Sequence, residues 1–240
     1  MPGDLNPGAL ECTVVLPAHN EEEILATTVE ELVAGLRERG VAFEVLVVEN
    51  GSTDDTAALA ARLAAANPEV VALSDPTPDY GRALRRGLLA ARGGSVVNFD
   101  VDYYDLEFLD RALAIVDQGA GIVVGTKRGE GAQDDRPIPR RVVTWVFATL
   151  LRVLFGLRVS DTHGMKALDR ARVVPLAERC QLGTDLFDTE LVLRAERAGL
   201  VVAEIPVRVE ERRPARSPIA RRILRTLVGL RQLRLALREE

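Results

Sequence analysis

Apolar and polar positions alternate between two periods along the first hundred residues. Short β-branched runs, TVVLP (Thr13–Pro17), FEVLVVEN (Phe43–Asn50), VVALS and SVVNFD, are nearly continuous in apolar character. Between them lie three stretches of helical period. EEEILATTVEELVAGLRERG has acids in its first turn, arginines in its last and Gly40 as its stop. GSTDDTAALAARLAAANP is a turn and a helix closed by Asn67-Pro68, and YGRALRRGLLAARGG is a helix with a glycine stop. The order β-α-β-α-β-α-β, with strands apolar on both faces, predicts an α/β fold with a mostly parallel sheet covered on both sides by helices.

The second half is less regular. GIVVGTK reads as a further strand and the Gly-, Pro- and charge-rich stretch before Arg140 as a mobile loop. RRVVTWVFATLLRVLFGL reads as a strongly apolar helix, SDTHGMKALDR as a turn with a short strand, DLFDTELVLRAERAG as an amphipathic helix and LVVAEIPVRVE as a strand. From Ile219 the chain reads as a helix with an apolar and a basic side as far as about Gly229. No repeat or low-complexity segment is present.

Composition sharpens this only in places. In 240 residues, 47% apolar and 28% charged, one α/β domain is the natural expectation. The net charge of −5 speaks against a general nucleic-acid binder, but from Glu211 to Glu240 nine arginines face three glutamates. An acidic body with a basic tail points to an anionic surface such as a membrane or phosphate, against the plainer reading of a solvated helix. Cys12 and Cys180 form no CxxC pair and read as buried thiols of a reducing cytoplasm. The first residues lack a basic n-region and an apolar core, and the longest apolar run, Val142 to Leu151, is too short to span a membrane. The expectation is a cytoplasmic chain, at most peripheral to the inner face of the cell membrane.

Candidate chemistry gathers at strand ends, where ligands bind in such sheets. Pro17-Ala18-His19-Asn20-Glu21 closes the first strand, Glu49-Asn50-Gly51-Ser52 the second, and Asp100-Val101-Asp102 the fourth. Two carboxylates at i, i+2 after a strand suit Mg²⁺ or Mn²⁺ completed by the oxygens of a diphosphate, and the plainer alternative is a pair of turn acids. Glu21, Glu22 and Glu23 at a helix start suit its dipole. His19 reads first as a loop histidine packed over the site. Glu49 is a base- or ribose-reading acceptor or a strand-end acid beside its turn. There is no GxGxxG after the first strand, no GxxxxGK[ST] and no GxSxG, which argues against a dinucleotide dehydrogenase, a P-loop NTPase and an α/β hydrolase.

Taken in order, VVLPAHNEEEIL, FEVLVVENGSTDDT, YGRALRRG and VVNFDVD resemble the family 2 glycosyltransferases of GT-A fold, whose usual pattern is PxxNE, VVDDGSxDxT and DxD. GLRVSDTHGMKALDR followed by FDTELVLRAERAGLVVAEIPV is similar to the dolichol- and polyprenol-phosphate mannose and glucose synthase branch. The resemblance spans Thr13 to Ser217, leaving residues 218–240 as a basic helical tail. It implies inverting transfer of a hexose from GDP-mannose or UDP-glucose to polyprenyl phosphate. It also implies a nucleotide pocket at Pro17, Ala18, His19, Glu21, Glu49, Arg85 and Asp100, a metal on Asp100 and Asp102, and an arginine facing phosphate at Arg212. Glu49-Asn50 replaces the usual Asp-Asp, Tyr104 stands where glutamine is usual, and RRPARSP carries Ala215 and Pro218 in place of glycine and lysine.

A phosphate acceptor is already ionised, so it needs cations rather than a base, and Lys127, Arg128 and Arg140, with Arg141, flank the apolar helix that would guide a polyprenyl chain. A second reading keeps the fold and gives the chain a soluble hydroxyl acceptor. Transfer then needs a general base, for which Asp185, Asp188 and Glu190 are the candidates. A third, a non-catalytic nucleotide-binding subunit, rests on the departures at Glu49, Tyr104 and Pro218.

Overall fold

In chain order the elements are β1 (Cys12–Ala18), α1 (Leu25–Glu38), β2 (Phe43–Asn50), α2 (Thr56–Ala66), β3 (Val70–Asp75), α3 (Tyr80–Ala90), β4 (Ser95–Asn98) and α4 (Leu106–Asp117). There follow β5 (Ile122–Thr126), β6 (Gln133–Asp134), α5 (Ile138–Phe155), β7 (Lys166–Asp169), α6 (Arg170–Arg179), α7 (Leu186–Arg197), β8 (Val202–Pro206), β9 (Arg208–Val209) and α8 (Ile219–Ala236). The computed structural model describes residues 10–126, 133–134, 138–184, 186–209 and 219–238, with side chains over 10–126, 145–184, 186–207 and 228–238.

Seven strands make one sheet in the order β3-β2-β1-β4-β7-β5-β8. The first four are parallel, as the continuous apolar runs require, and β1 and β2 are buried at every position. Alternate residues feed opposite cores. Val14, Leu16, Val45, Val47, Val97 and Phe99 pack with α1, α2 and α4, and Val15, Leu46, Val48, Val96, Ile122 and Leu168 pack under α3, α6 and α7. β7 breaks the parallel pattern. It runs antiparallel to both β4 and β5, so its first residue, Lys166, sits opposite the last residue of β4, Asn98. The loop before β7, residues 161–165, therefore arrives beside the strand end that carries Asp100.

The structure departs from the sequence reading in several places. Helix α1 begins at Leu25, not at the glutamates, whose stretch forms a turn in which the backbone amides of Glu21 and Glu22 donate to Thr56 Oγ1 and Asp54. Two helices went unread. Helix α4 has Asp105 as its N-cap and Phe108, Leu109, Ala112 and Val116 on its buried side. Helix α6 hides behind Pro175 and three arginines, yet Asp169 caps it. Helix α7 is not amphipathic, being buried continuously from Phe187 to Ala195 between the sheet and its neighbours. Within the stretch read as a loop, Gln133–Asp134 pairs in parallel with β9.

The helical tail continues past Gly229 to Ala236, and its last turns are packed on the domain. Leu230, Leu233 and Leu237 join the second core. Arg194 and Arg197 of α7 donate to the carbonyls of Ala236 at 2.9 Å and Leu237 at 3.1 Å, supplying both hydrogen bonds and positive charge where a helix end lacks them. Leu233 is fully buried, so Leu233→Ala should lower unfolding free energy by about 2–5 kcal/mol in urea titration. A midpoint equal to the parent's would mean that the tail is not docked as described.

Candidate active site

The β1 and β2 ends are laced together by hydrogen bonds. His19 donates from Nδ1 to the Asn50 carbonyl at 2.8 Å, which leaves Nε2 to accept from Asn20 Nδ2 at 3.4 Å. Asn20 sits at φ +55° and reaches across: its amide donates to Ser52 Oγ at 3.1 Å, and its Oδ1 accepts from Thr53 N at 2.8 Å. With its amide oriented to suit its neighbours, Asn50 donates to the Ala18 carbonyl at 2.7 Å and accepts from Asp79 N at 3.2 Å. Gly51, at φ +63°, donates to the Asp75 carbonyl, and a Cβ there would lie 2.8 Å from Pro78 N. Pro17 and Ala18 form the buried floor beneath this loop pair.

Glu49 bonds both to the turn that follows it and to β3. It is 4% exposed, with one carboxylate oxygen 2.6 Å from Ser52 N and the other 2.7 Å from Ser74 Oγ. This is the strand-end acid beside its turn, one of the two roles its sequence left open. The third strand end adds Asp75, whose carboxyl is held below the usual carboxylate range by the Thr77 amide and, against the cost of burial, by Arg82. Asp79 N-caps α3 and also accepts from Thr184 N at 2.7 Å, which ties the loop before α7 to this corner.

After β4 the backbone closes on itself through paired hydrogen bonds between Asp100 and Tyr103, and Thr28 of α1 donates to the Val101 carbonyl at 2.8 Å. That turn presents Asp100 and Asp102, both half-buried. Among the described residues no group of three or more His, Cys, Asp or Glu could hold a metal ion by itself. Two carboxylates suit Mg²⁺ or Mn²⁺, which take one or two from protein and the rest from phosphate and water. Tyr104 turns away, its hydroxyl donating to Glu31 of α1. Tyr103 stays protonated, since burial with Asp105 nearby pushes its phenol up to about 12.

The remaining expected residues divide. Arg85 lies in the seam between α3 and α6, donating to the carbonyls of Ala177 at 3.0 Å and Glu178 at 2.8 Å. Asp188, 2% exposed, is paired with Lys166 at 2.9 Å. Glu190 is fully buried and held by Arg194 and the amides of Gln181 and Leu182. Glu21 stands half-buried at the start of the turn before α1. Lys127, Arg128, Asp185 and Arg212 lie outside the described residues, and so do the side chains of Arg140 and Arg141.

A second polar group borders the β4 end and was not singled out from the sequence. Asn98, Asp161, Thr162, Lys166 and Thr189 are all buried, and His163 keeps 37% of its side chain exposed. Its one legible trace is the polar residues inside apolar strands, Asn98 in SVVN and Lys166 in KALD. Burial pulls His163 down, but the nearby carboxylate of Asp161, with Asp188 beyond, outweighs that and the repulsion of Lys166, so its pKa is raised. The His163 ring also meets Phe147 of α5, centroids 6.0 Å apart.

A family model for glycosyl transferase family 2 matches residues 13–173, more than half of the chain, and the chain belongs to that family. It is 33% identical over 229 residues to the glycosyltransferase AglD of Haloferax volcanii, covering 93% of this chain but only 37% of that protein's length. It is 31% identical over 209 residues to an undecaprenyl-phosphate mannosyltransferase of Micrococcus luteus, covering 82% of this chain and 83% of that one. Among solved structures, glucosyl-3-phosphoglycerate synthase from Mycobacterium tuberculosis, in complex with Mn²⁺, UDP and phosphoglyceric acid, superposes with a TM-score of 0.69 at 24% identity, over 95% of this chain and 77% of that one. This likeness establishes the GT-A arrangement of the sheet.

Because both oxygens of the buried Glu49 accept hydrogen bonds, from Ser52 N and Ser74 Oγ, Glu49→Ala should destabilise the fold by about 1–3 kcal/mol. The check is a denaturant midpoint. A variant as stable as the parent would free Glu49 for a direct ligand role.

Proposed function

We propose that the chain transfers a hexose from a nucleoside diphosphate sugar to a polyprenyl phosphate, with Asp100 and Asp102 holding Mg²⁺ or Mn²⁺. The observation that carries the acceptor choice is the outer face of α5. Trp145, Val146, Val153 and Leu154 are 58%, 43%, 77% and 55% exposed, while Ala148 and Leu151 on the inner side are buried. An exposed apolar stripe of this kind suits a helix lying in a membrane interface, and Arg152 in its last turn suits anionic headgroups. The same helix reaches the site through Phe147 and His163. No helix among the described residues is long and apolar enough to cross a membrane. The names of relatives, undecaprenyl-phosphate mannosyltransferase and dolichyl-phosphate β-glucosyltransferase, support the same acceptor class.

The divalent ion, when bound, neutralises charge that develops on the leaving diphosphate. The chain's own residues do the rest. The turn closed by Asp100 and Tyr103 orients the two carboxylates, and the laced β1 and β2 ends form the floor for the nucleotide. An acceptor phosphate oxygen forms its bond to the anomeric carbon as the bond to the diphosphate breaks, from the opposite side. The phosphate brings its own charge and needs no base. This agrees with Asp188 and Glu190 being buried in ion pairs rather than open to an acceptor hydroxyl.

Two measurements test this. Nucleotide release from GDP-mannose or UDP-glucose with Mn²⁺ should depend on added polyprenyl phosphate, and Asp102→Asn should slow it about 100-fold or more. Equal turnover with a soluble acceptor and no lipid would overturn the lipid assignment, and full activity of the variant would overturn the metal site. Separately, Trp145 is the single tryptophan, so its emission should shift to the blue on vesicles containing anionic lipid, and Val153→Glu should weaken that binding. An unchanged spectrum on such vesicles would remove the membrane face.

A further inference from the structure

The polar group beside β4 is built from four elements. Lys166 at the start of β7 donates to the Gly164 carbonyl at 2.7 Å and lies 2.9 Å from Asp188 of α7. Asn98 at the end of β4 donates to the same carbonyl at 3.4 Å. Thr162 and Thr189 hydrogen-bond at 2.9 Å, a second tie between the loop and α7. Gly164 takes φ +96°, a left-handed turn that sets His163 on the outer side of the loop. Beneath His163, Asp161 accepts its backbone amide at 3.0 Å and stands 3.8 Å from its ring. Among the described residues the charged groups around the imidazole include Asp161 on its own loop, Lys166 from β7 and Asp188 from α7, while α5 offers Phe147.

A buried ion pair is a poor device for stability, because apolar residues of like volume often serve as well. What it supplies here is a fixed loop. The fixed loop places a half-exposed imidazole at the junction between the apolar helix α5 and the strand end bearing Asp100. An amphipathic acceptor with its chain along α5 would have its phosphate at that junction.

We propose that His163 binds the acceptor's phosphate, held in place by the Lys166–Asp188 pair and Asn98. This rests on the transferase reading above, and its acceptor-class arm on the lipid choice. The imidazolium donates a charge-assisted hydrogen bond to phosphate, so the contribution is present while His163 is protonated and is lost as pH rises through its pKa.

The full chain has two histidines, so the His163 ring signals can be assigned in NMR spectra by comparison with His163→Gln. With Mg²⁺ and nucleotide present, farnesyl phosphate should shift those signals and raise the pKa of His163. His163→Gln should raise the KM for farnesyl phosphate about tenfold near pH 6 and much less near pH 8, with the donor KM unchanged. Taking the ratio of parent to variant cancels the ionisation of the phosphate itself. Signals unmoved by saturating farnesyl phosphate and by 3-phosphoglycerate would overturn the proposal, as would a variant with the parent's acceptor KM at both pH values. If 3-phosphoglycerate alone is a substrate and alone moves the signals, the phosphate contact stands and the lipid acceptor falls.

Discussion

Charge inside a protein has to be paired, and the Lys166–Asp188 contact is where this chain meets that demand most severely. Both side chains are almost without exposure, and an ammonium or carboxylate left alone there would cost several kcal/mol. The pair closes only if β7 is inserted between β4 and β5 and α7 lies across them on the second core. That placement turns β7 antiparallel, brings residues 161–165 to the end of β4, and makes one wall of the site from segments more than sixty residues apart in sequence. Asn98 Oδ1 and Asp188 Oδ1 are buried side-chain oxygens without a well-directed hydrogen bond, so the seam is tightly constrained rather than generously satisfied.

The opposite wall is organised differently. There the β1 and β2 loops share hydrogen bonds between His19, Asn20, Asn50, Ser52 and Thr53, and Glu49 accepts from Ser52 in the turn it precedes and from Ser74 of β3. The wall is rigid because its polar groups answer one another. A nucleotide approaching it would meet a prepared surface, with little ordering left to do on binding.

Between the two walls lies the acid pair, and above it α5. Lipid phosphates join a charged head to an apolar chain, and the molecule divides in the same way, with carboxylates and an imidazole at the strand end and an outward stripe of Trp145, Val146 and Val153 on the helix. Helix α8 belongs to the same body in its last turns, since Arg194 and Arg197 of α7 close its carbonyls. The basic character of the tail and the packing of the domain are therefore connected through α7, whose Glu190 also holds the loop at Gln181 and Leu182.

The parallel half of the sheet was legible in the sequence because its strands are buried on both faces, and residues buried on both faces must be apolar throughout. Asp100 and Asp102 stand out in the sequence for the converse reason: charge directly after such a run has few purposes. Helix α6 was not legible, because a proline and several arginines mask its period, and α1 was placed too early because the glutamates form a turn before it. The partners of Glu49, Asp188 and Arg85 could not be read either. An isolated carboxylate or guanidinium looks the same in sequence whether it faces a ligand or a neighbouring backbone. Sequence by itself determined the α/β class and the parallel strands, since each follows from local pattern. Only the tertiary structure decided which polar residues meet, because β7 joins the sheet against the direction of its neighbours through a long-range charge pair that no local pattern encodes.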